Sequence, residues 1–522
     1  MEKKRIITIL LAAVLLVTGT VSCDKWLDVR STDEIIEREA FNQTEGYRTA
    51  LVGVYRILSD PGLYGRELSW GLVNSLSWCH LTGYSDPAYR QALQAASDPY
   101  AGATVRSHIN PIWEKGYNAI ANLNELLDKI KDEDPSLFET DFEKDMIMGE
   151  AYGLRALLHF VILECFVPAP VTGYTGPAIP YVTKYPDYQP VTASMDAVLK
   201  GIVADLGRAV DLLERYDVVE GREKAVFVAG ATDMMNMDYY LYQRAGNWRN
   251  DGKVRDNASD TFGFFVNRGY RLNWWGCNAL LARVYSYMRD FDNAEKYADV
   301  ILNDWVNKNN YSLDNSAPNP DANPNLIDTK RRKEQLIAFY RKNLAAEYAS
   351  VNNTTSSGYS RMVNPTTLFD DANDYRRTGL LRGTNAAQLY SRVWEMPNAA
   401  FSVNATIDNL SRPLIPVLEL PEIYFIKAEC LARKGNLDDA LRLIKDVRDA
   451  RQCVVAKTAA DLDSFMSLLV DEAQREFFGR GTAFFFLKKL DWPEMYQGTA
   501  VRKVLPEGWY VFPKPESETD YQ

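Results

Sequence analysis

Residues 420–451 read LPEIYFIKAECLARKGNLDDALRLIKDVRDAR, and the architecture follows from how this stretch is spaced. Lys427, Ala428 and Leu431 lead into the polar turn Lys434-Gly435-Asn436, after which Ala440, Ile444 and Val447 resume the apolar pattern. A glycine between two helical patterns marks the end of one helix and the start of the next. The layout recurs upstream, where Leu281, Ala282 and Tyr285 lead to the turn Arg289-Asp290 and then to Ala294, Ala298 and Ile301. In each copy an alanine is followed twelve residues later by another, Ala282 by Ala294 and Ala428 by Ala440. Small side chains at these points let two helices approach closely. Such a hairpin cannot bury its apolar face alone, so the pattern predicts several hairpins in series.

This is the spacing of tetratricopeptide-type repeats. Other segments fit the same scheme. Between Glu143 and Phe166, Ile147, Ala151, Leu154, Leu158, Val161 and Cys165 recur at helical intervals, predicting a long helix with one apolar stripe, stopped by Pro168 and Pro170. Trp113 to Ile130 reads as its antiparallel partner across the polar stretch 131–141, and Val198 to Leu213 reads as a further helix. Between these helices, residues 60–100, 174–192, 217–265, 303–329 and 351–413 are rich in Asn, Asp, Gly, Pro, Tyr and Trp. Insertions this long are uncommon unless functional. The predicted fold class is all-α, with tetratricopeptide-like helical hairpins carrying long, irregular, aromatic-rich loops.

The amino terminus has the form of an export signal. Lys3, Lys4 and Arg5 precede an apolar run from Ile6 to Val17, which is too short for a spanning helix of about 20 residues. Small residues follow and end in Ser22-Cys23, the arrangement at which a lipoprotein signal is cleaved and the cysteine acylated. Residues 1–22 are therefore read as a lipoprotein signal peptide, Cys23 as the lipid anchor, and residues 23–522 as one domain. Several acyl chains, at about 0.8 kcal/mol per buried methylene, make such an anchor stable. The net charge of −11, without a concentrated basic face, argues against a nucleic-acid partner. The cysteines at 23, 79, 165, 277, 430 and 453 form no CxxC pair, so neither a zinc knuckle, a redox motif nor a disulfide framework is expected.

No phosphate-binding loop, nucleophile elbow, HExxH or EF-hand motif occurs. The three histidines, His80, His108 and His159, are scattered, and His159 reads as a structural residue on its helix. No enzymatic activity, cofactor or metal site is expected. The aromatic loops are more informative. Trp70, Trp78, Tyr84 and Tyr89 cluster with Arg66, Asn74 and Asp86. Tyr239, Tyr240, Tyr242 and Trp248 form a second group with Trp274 and Trp275 nearby, and Tyr359, Tyr375, Tyr390 and Trp394 a third. Flat aromatic faces stack on sugar rings while Asn, Asp and Arg bond the hydroxyls. The same rings can instead fill a loop-covered core. The residues read as ligand-binding are Arg66, Trp70, Asn74, Trp78, Tyr84, Trp274, Tyr375 and Trp394.

Taken in order, several segments resemble the SusD/RagB family of outer-membrane nutrient-binding lipoproteins: CDKWLDVRSTDEI after Cys23, AFNQTEGYRTALVGVY, WEKGYNAIANLNELL, GEAYGLRALLHFVILECF with Glu150 and Arg155 in place, and the hairpin at 420–451. The resemblance implies four tetratricopeptide-like hairpins with a loop-rich face. It also implies a lipid-anchored, surface-exposed protein of the outer membrane that binds glycans, or in some members peptides, and delivers them to a TonB-dependent (SusC-like) transporter without catalysis. An envelope interaction scaffold and an envelope hydrolase are the alternatives. The stretch REFFGRGTAFFFLKKL departs from the family pattern, with Arg480 where an acid is usual, Ala483 for Arg, Phe486 for Asp and Leu490 for Trp. These changes read as an ion pair exchanged for apolar packing.

Overall fold

The computed structural model describes residues 41–77, 89, 98–138, 142–220, 270–306, 313–315, 329–331, 334–351, 361–362, 366–382, 389–394, 413–496 and 502–519. Two compact units are distinguished, Met1–Tyr47 and Arg48–Gln522. In the first, the rings of Phe41 and Tyr47 lie 5.1 Å apart. The second holds the helical stack. Cys23 lies outside the described residues.

The main helices are α1 (Thr44–Leu58), α2 (Ala103–Ile130), α3 (Glu143–Phe166), α4 (Met195–Glu214), α5 (Trp274–Met288), α6 (Phe291–Val300), α7 (Leu420–Arg433), α8 (Leu437–Ala450), α9 (Leu462–Glu476) and α10 (Thr482–Lys489). α2 packs against α3, and α4 runs along α3 and meets α5. The pairs α5–α6 and α7–α8 are hairpins, joined where α6 lies on α7. Ala282, Ala294, Ala428 and Ala440 are all fully buried at these crossings, as the twelve-residue spacing required. The turns use left-handed backbone at Arg289 (φ 64°) and Gly435 (φ 86°). α2 begins ten residues before the expected Trp113 and passes through Pro111. Strand β1 (Gln335–Tyr340) pairs antiparallel with β2 (Leu414–Glu419), which runs directly into α7. The fold is helical, and among the described residues the short strands form three two-stranded sheets and one three-stranded sheet between the helices.

α3 is the spine. It is long and apolar enough in composition to cross a bilayer, but it is enclosed by protein. Its expected single stripe is an underestimate, because nearly every side chain from Met146 to Phe166 is buried. Close approach is permitted by glycines. A Cβ on Gly153 would sit 2.2 Å from Leu272 Cδ2, and one on Gly116 of α2 would sit 2.8 Å from Ile162 Cδ1.

A helix buried on all sides must partner each of its polar groups. Glu143 accepts from Arg48 Nε at 2.6 Å. Glu150 accepts from Tyr55 Oη at 2.5 Å and from Arg271 Nε and Nη2 at 3.0 and 2.7 Å. Arg155 donates to both carboxylate oxygens of Asp205 on α4 at 2.7 Å each and to Asn124 Oδ1 on α2 at 2.8 Å. His159 Nε2 accepts from the Val182 amide at 3.0 Å, so Nδ1 carries the proton and donates to Arg155 O at 2.9 Å. The histidine is thus structural, as its position on the helix predicted. Glu164, at the far end, lines an internal cavity with Tyr64, Arg283 and Tyr287, and burial pushes its carboxyl up to about 8.

The free cysteines Cys165, Cys277, Cys430 and Cys453 are buried, and burial raises the Cys165, Cys430 and Cys453 thiols. They act as small apolar residues.

Burial pushes the His159 imidazole down to about 3, so the folded chain keeps it neutral where the unfolded chain protonates it. Stability contributed by this group therefore falls as pH drops from about 6.5 toward 3. Replacing His159 with Gln should reduce the stability lost between pH 6.5 and 5.5 by about 1 kcal/mol, read as urea midpoints of both proteins at each pH. An unchanged pH slope would contradict the buried neutral imidazole.

Candidate functional site

The segment from Asp60 to Ser77 leaves α1 and folds tightly on itself. Gly65 has no room for a side chain, since a Cβ there would lie 2.3 Å from Ser59 O. The Trp70 indole N–H donates to Gly65 O at 2.9 Å, and Ser69 Oγ donates to Tyr64 O at 2.7 Å. This brings Arg66 between two rings, with its guanidinium carbon 5.6 Å from the Trp70 centroid and 5.7 Å from that of Tyr89. Glu67 closes the group by accepting from Tyr89 Oη at 2.7 Å and pairing with His108 Nδ1 of α2 at 2.9 Å. Arg66 and His108 remain partly open to solvent, each side chain 22% exposed. The cluster offers a guanidinium edge and an imidazole to solvent, backed by the buried Trp70 and Tyr89 rings, which suits recognition of a polar, hydroxyl-bearing ligand. Among the described residues no group of His, Cys, Asp and Glu is placed to hold a metal.

The residues read from the sequence as ligand-binding divide sharply. Trp78 and Tyr84 lie outside the described residues. Arg66 is half-buried in the cluster above. Trp274 is half-buried at the first turn of α5, its amide donating to Asp217 Oδ2 at 2.8 Å and its ring edge-on to Trp275. The other four are corrected, because they are interior residues. Trp70 is 6% exposed and packs edge-on against Tyr348. Asn74 is buried, with Nδ2 donating to Trp70 O at 3.4 Å. Trp394 is 2% exposed, its indole N–H donates to Gly479 O at 2.6 Å, and Lys330 Nζ sits 4.9 Å from its ring. Tyr375 is buried, its hydroxyl accepting from Arg331 Nη1 at 3.4 Å. These rings fill the cores under the loops, where a large flat apolar side chain with one donor is most stable.

What surrounds Tyr375 was not foreseen. Arg451 donates to Glu334 at 2.8 and 2.9 Å and to Glu476 at 2.7 Å. Arg331 also reaches Glu476 at 2.7 Å. Arg376 bridges Asp374, Glu472 and Glu476 at 2.6 to 2.9 Å, and Arg448 and Arg475 each meet Glu472 at 3.0 Å. Burial alone would raise the Glu472 carboxyl, but the guanidiniums of Arg376, Arg475 and Arg448 hold it down to about 2. The adjacent pair Arg475-Glu476 on a helix of otherwise apolar periodicity is the signal that would have revealed this network. A second correction concerns Arg480. Its ion pair is kept with a new partner, since Arg480 Nη1 donates to Glu419 with both side chains buried, while Ala483 is buried and Phe486 packs edge-on against Phe425.

A family model described as SusD-like, starch-binding associating with outer membrane, matches residues 63–225, a span that holds the Arg66 cluster, α2, α3 and α4. A SusD-like protein of Formosa agariphila is 23% identical over 496 residues, covering 89% of this chain and 86% of that one. Both likenesses are to SusD-like proteins. Among solved structures, the chain shares its fold with a SusD-like carbohydrate binding protein from Bacteroides vulgatus (TM-score 0.62, 17% identity, 91% of this chain and 96% of that one). A SusD superfamily protein from Bacteroides thetaiotaomicron is equally similar (TM-score 0.62, 17% identity, 92% and 98%).

Truncation separates interior from site residues. Trp70→Ala and Trp394→Ala should each destabilise the SusD-like fold by about 3–5 kcal/mol in urea unfolding, as loss of a buried aromatic does. Arg66→Gln should cost less than about 1 kcal/mol. Tryptophan variants of unchanged stability would return those rings to a ligand surface.

Proposed function

We propose that this chain is a non-catalytic carbohydrate receptor of the outer membrane, anchored through acylated Cys23 and facing the cell surface, which captures glycan and passes it to a TonB-dependent transporter. The observation that carries the reading is the coincidence of the starch-binding family match at 63–225 with a partly exposed arginine held between aromatic rings in that span. Arg66, Trp78, Tyr84 and Trp274 are the ligand contacts this reading retains. The Trp70 and Tyr89 rings fix the guanidinium in place, which lowers the ordering cost of recognition. A net charge of −11 favours neutral glycans over polyuronides.

The test is calorimetric titration of the purified protein with maltoheptaose, cellohexaose, laminarihexaose, xylohexaose, mannohexaose and a set of mixed oligopeptides. The reading expects at least one neutral glycan to bind with a Kd below about 1 mM and no shortened product to appear. Binding of peptides alone would make the chain a peptide receptor. Cleavage of a bound glycan would make it an enzyme.

A further inference from the structure

Residues 181–191 form an arm whose neck is gripped by three helices. Its ends are brought together by the antiparallel pairing of Pro177–Pro180 with Thr192–Ser194. Tyr117 Oη of α2 donates to Pro180 O at 2.8 Å, and Asn124 Nδ2, also of α2, donates to the carbonyls of Val182 and Lys184 at 3.0 and 3.3 Å. From α3, His159 Nε2 takes the Val182 amide, and Tyr181 Oη donates to Asp205 of α4 at 2.6 Å. Gly201 of α4 leaves room for the Tyr181 ring, which a Cβ there would meet at 2.6 Å. Beyond this neck, Pro186 and Pro190 fix φ, and the Gln189 amide donates to Asp187 Oδ1 at 3.3 Å.

On this well-held arm every residue from 184 to 191 is exposed. Tyr185 is 46%, Tyr188 88% and Val191 82% exposed. Scattered apolar side chains on a surface need no explanation, but three within seven residues on a clamped arm do. Lys184, Asp187 and Gln189 alternate with them. Rings interleaved with hydrogen-bonding groups match a sugar, which has an apolar face and a rim of hydroxyls. Two tyrosines supply about 150–250 Å² each, well below the roughly 800 Å² per partner of a stable protein interface. The observations therefore favour a small carbohydrate surface over a protein-docking face.

We infer that the 181–191 arm is a second carbohydrate contact, in which Tyr185 and Tyr188 stack on sugar rings and Asp187 and Gln189 bond their hydroxyls. It is separate from the Arg66 cluster. His108 and Asn124, which mark the two places on α2, are sixteen residues apart, or about 24 Å along the helix. The inference rests on the carbohydrate reading above and gives it a location. Because the arm is clamped in advance, little ordering cost opposes binding.

The test uses the purified full-length protein and the same five oligosaccharides. Tyr185→Ala/Tyr188→Ala should keep the thermal midpoint of the parent, since both side chains are exposed, and should weaken the bound oligosaccharide at least about fivefold. Tyr188→Trp should retain binding and report it by a change in indole emission. If the parent binds an oligosaccharide and the double variant binds it equally well, the arm is not a contact, while the carbohydrate reading survives. The same result joined to lost retention of an outer-membrane barrel would make the arm a protein contact and overturn the inference. If the parent binds none of the five, the carbohydrate reading fails and the arm proposal with it.

Discussion

Arg155 lies at the middle of a helix with almost no solvent around it, and its guanidinium is answered by Asp205 on α4 and Asn124 on α2. Three helices are thereby held in one register. A buried ion pair of this sort adds little net stability over apolar residues of similar volume, because desolvation offsets the attraction. Breaking it costs far more, roughly 3–5 kcal/mol, since one charge is left buried and unpaired. The arrangement penalises every misaligned stacking of α2, α3 and α4. Glu150 does the same for the junction of α1 and α5, through Tyr55 and Arg271. His159 extends the constraint to a loop by accepting the Val182 amide. Polar groups of α3 thus tie it to α1, α2, α4 and the 181–191 loop, while its apolar residues supply the bulk of the burial.

The carboxy-terminal half solves a related problem differently. Long inter-helical segments pass over α8 and α9, and their backbone turns are tied down by buried charge. Asp371 takes the Val454 and Val455 amides, Arg475 Nε donates to Leu368 O, and Arg451 donates to Asp314 O. Five buried carboxylates, Glu334, Asp371, Asp374, Glu472 and Glu476, are set among the five guanidiniums of Arg331, Arg376, Arg448, Arg451 and Arg475. In both halves helix side chains hydrogen-bond to the backbone of the described irregular segments. Groups held on such segments need little ordering before they can bind a ligand.

The hairpins were legible because their information is local. Ala282 with Ala294 and Ala428 with Ala440 fix a close helix crossing within a few turns of chain, and the structure buries all four. The core helix was legible in extent but not in its surroundings, since periodicity reports one apolar face and says nothing of polar residues partnered from four other elements. The aromatic loops misled for a physical reason. A tryptophan in a polar stretch looks the same whether it faces a ligand or roofs a small core, and Trp70, Trp394 and Tyr375 do the latter. Tyr185 and Tyr188, on the 181–191 arm, are among the described rings left outside. The partners of Arg451 lie as far as 137 residues away, so no spacing rule links them. Arg480 shows the same limit, since its partner Glu419 lies on another element.

The central claim is that a rigid α3-centred stack presents carbohydrate-binding groups on clamped loops. Hydrogen–deuterium exchange of the protein, with and without a saturating oligosaccharide that it binds, addresses this directly. Protection should rise in peptides covering 60–77 and 181–191 and stay unchanged along α3, whose amides are already closed to solvent. Protection gained within α3, with both loop segments unaffected, would contradict the account.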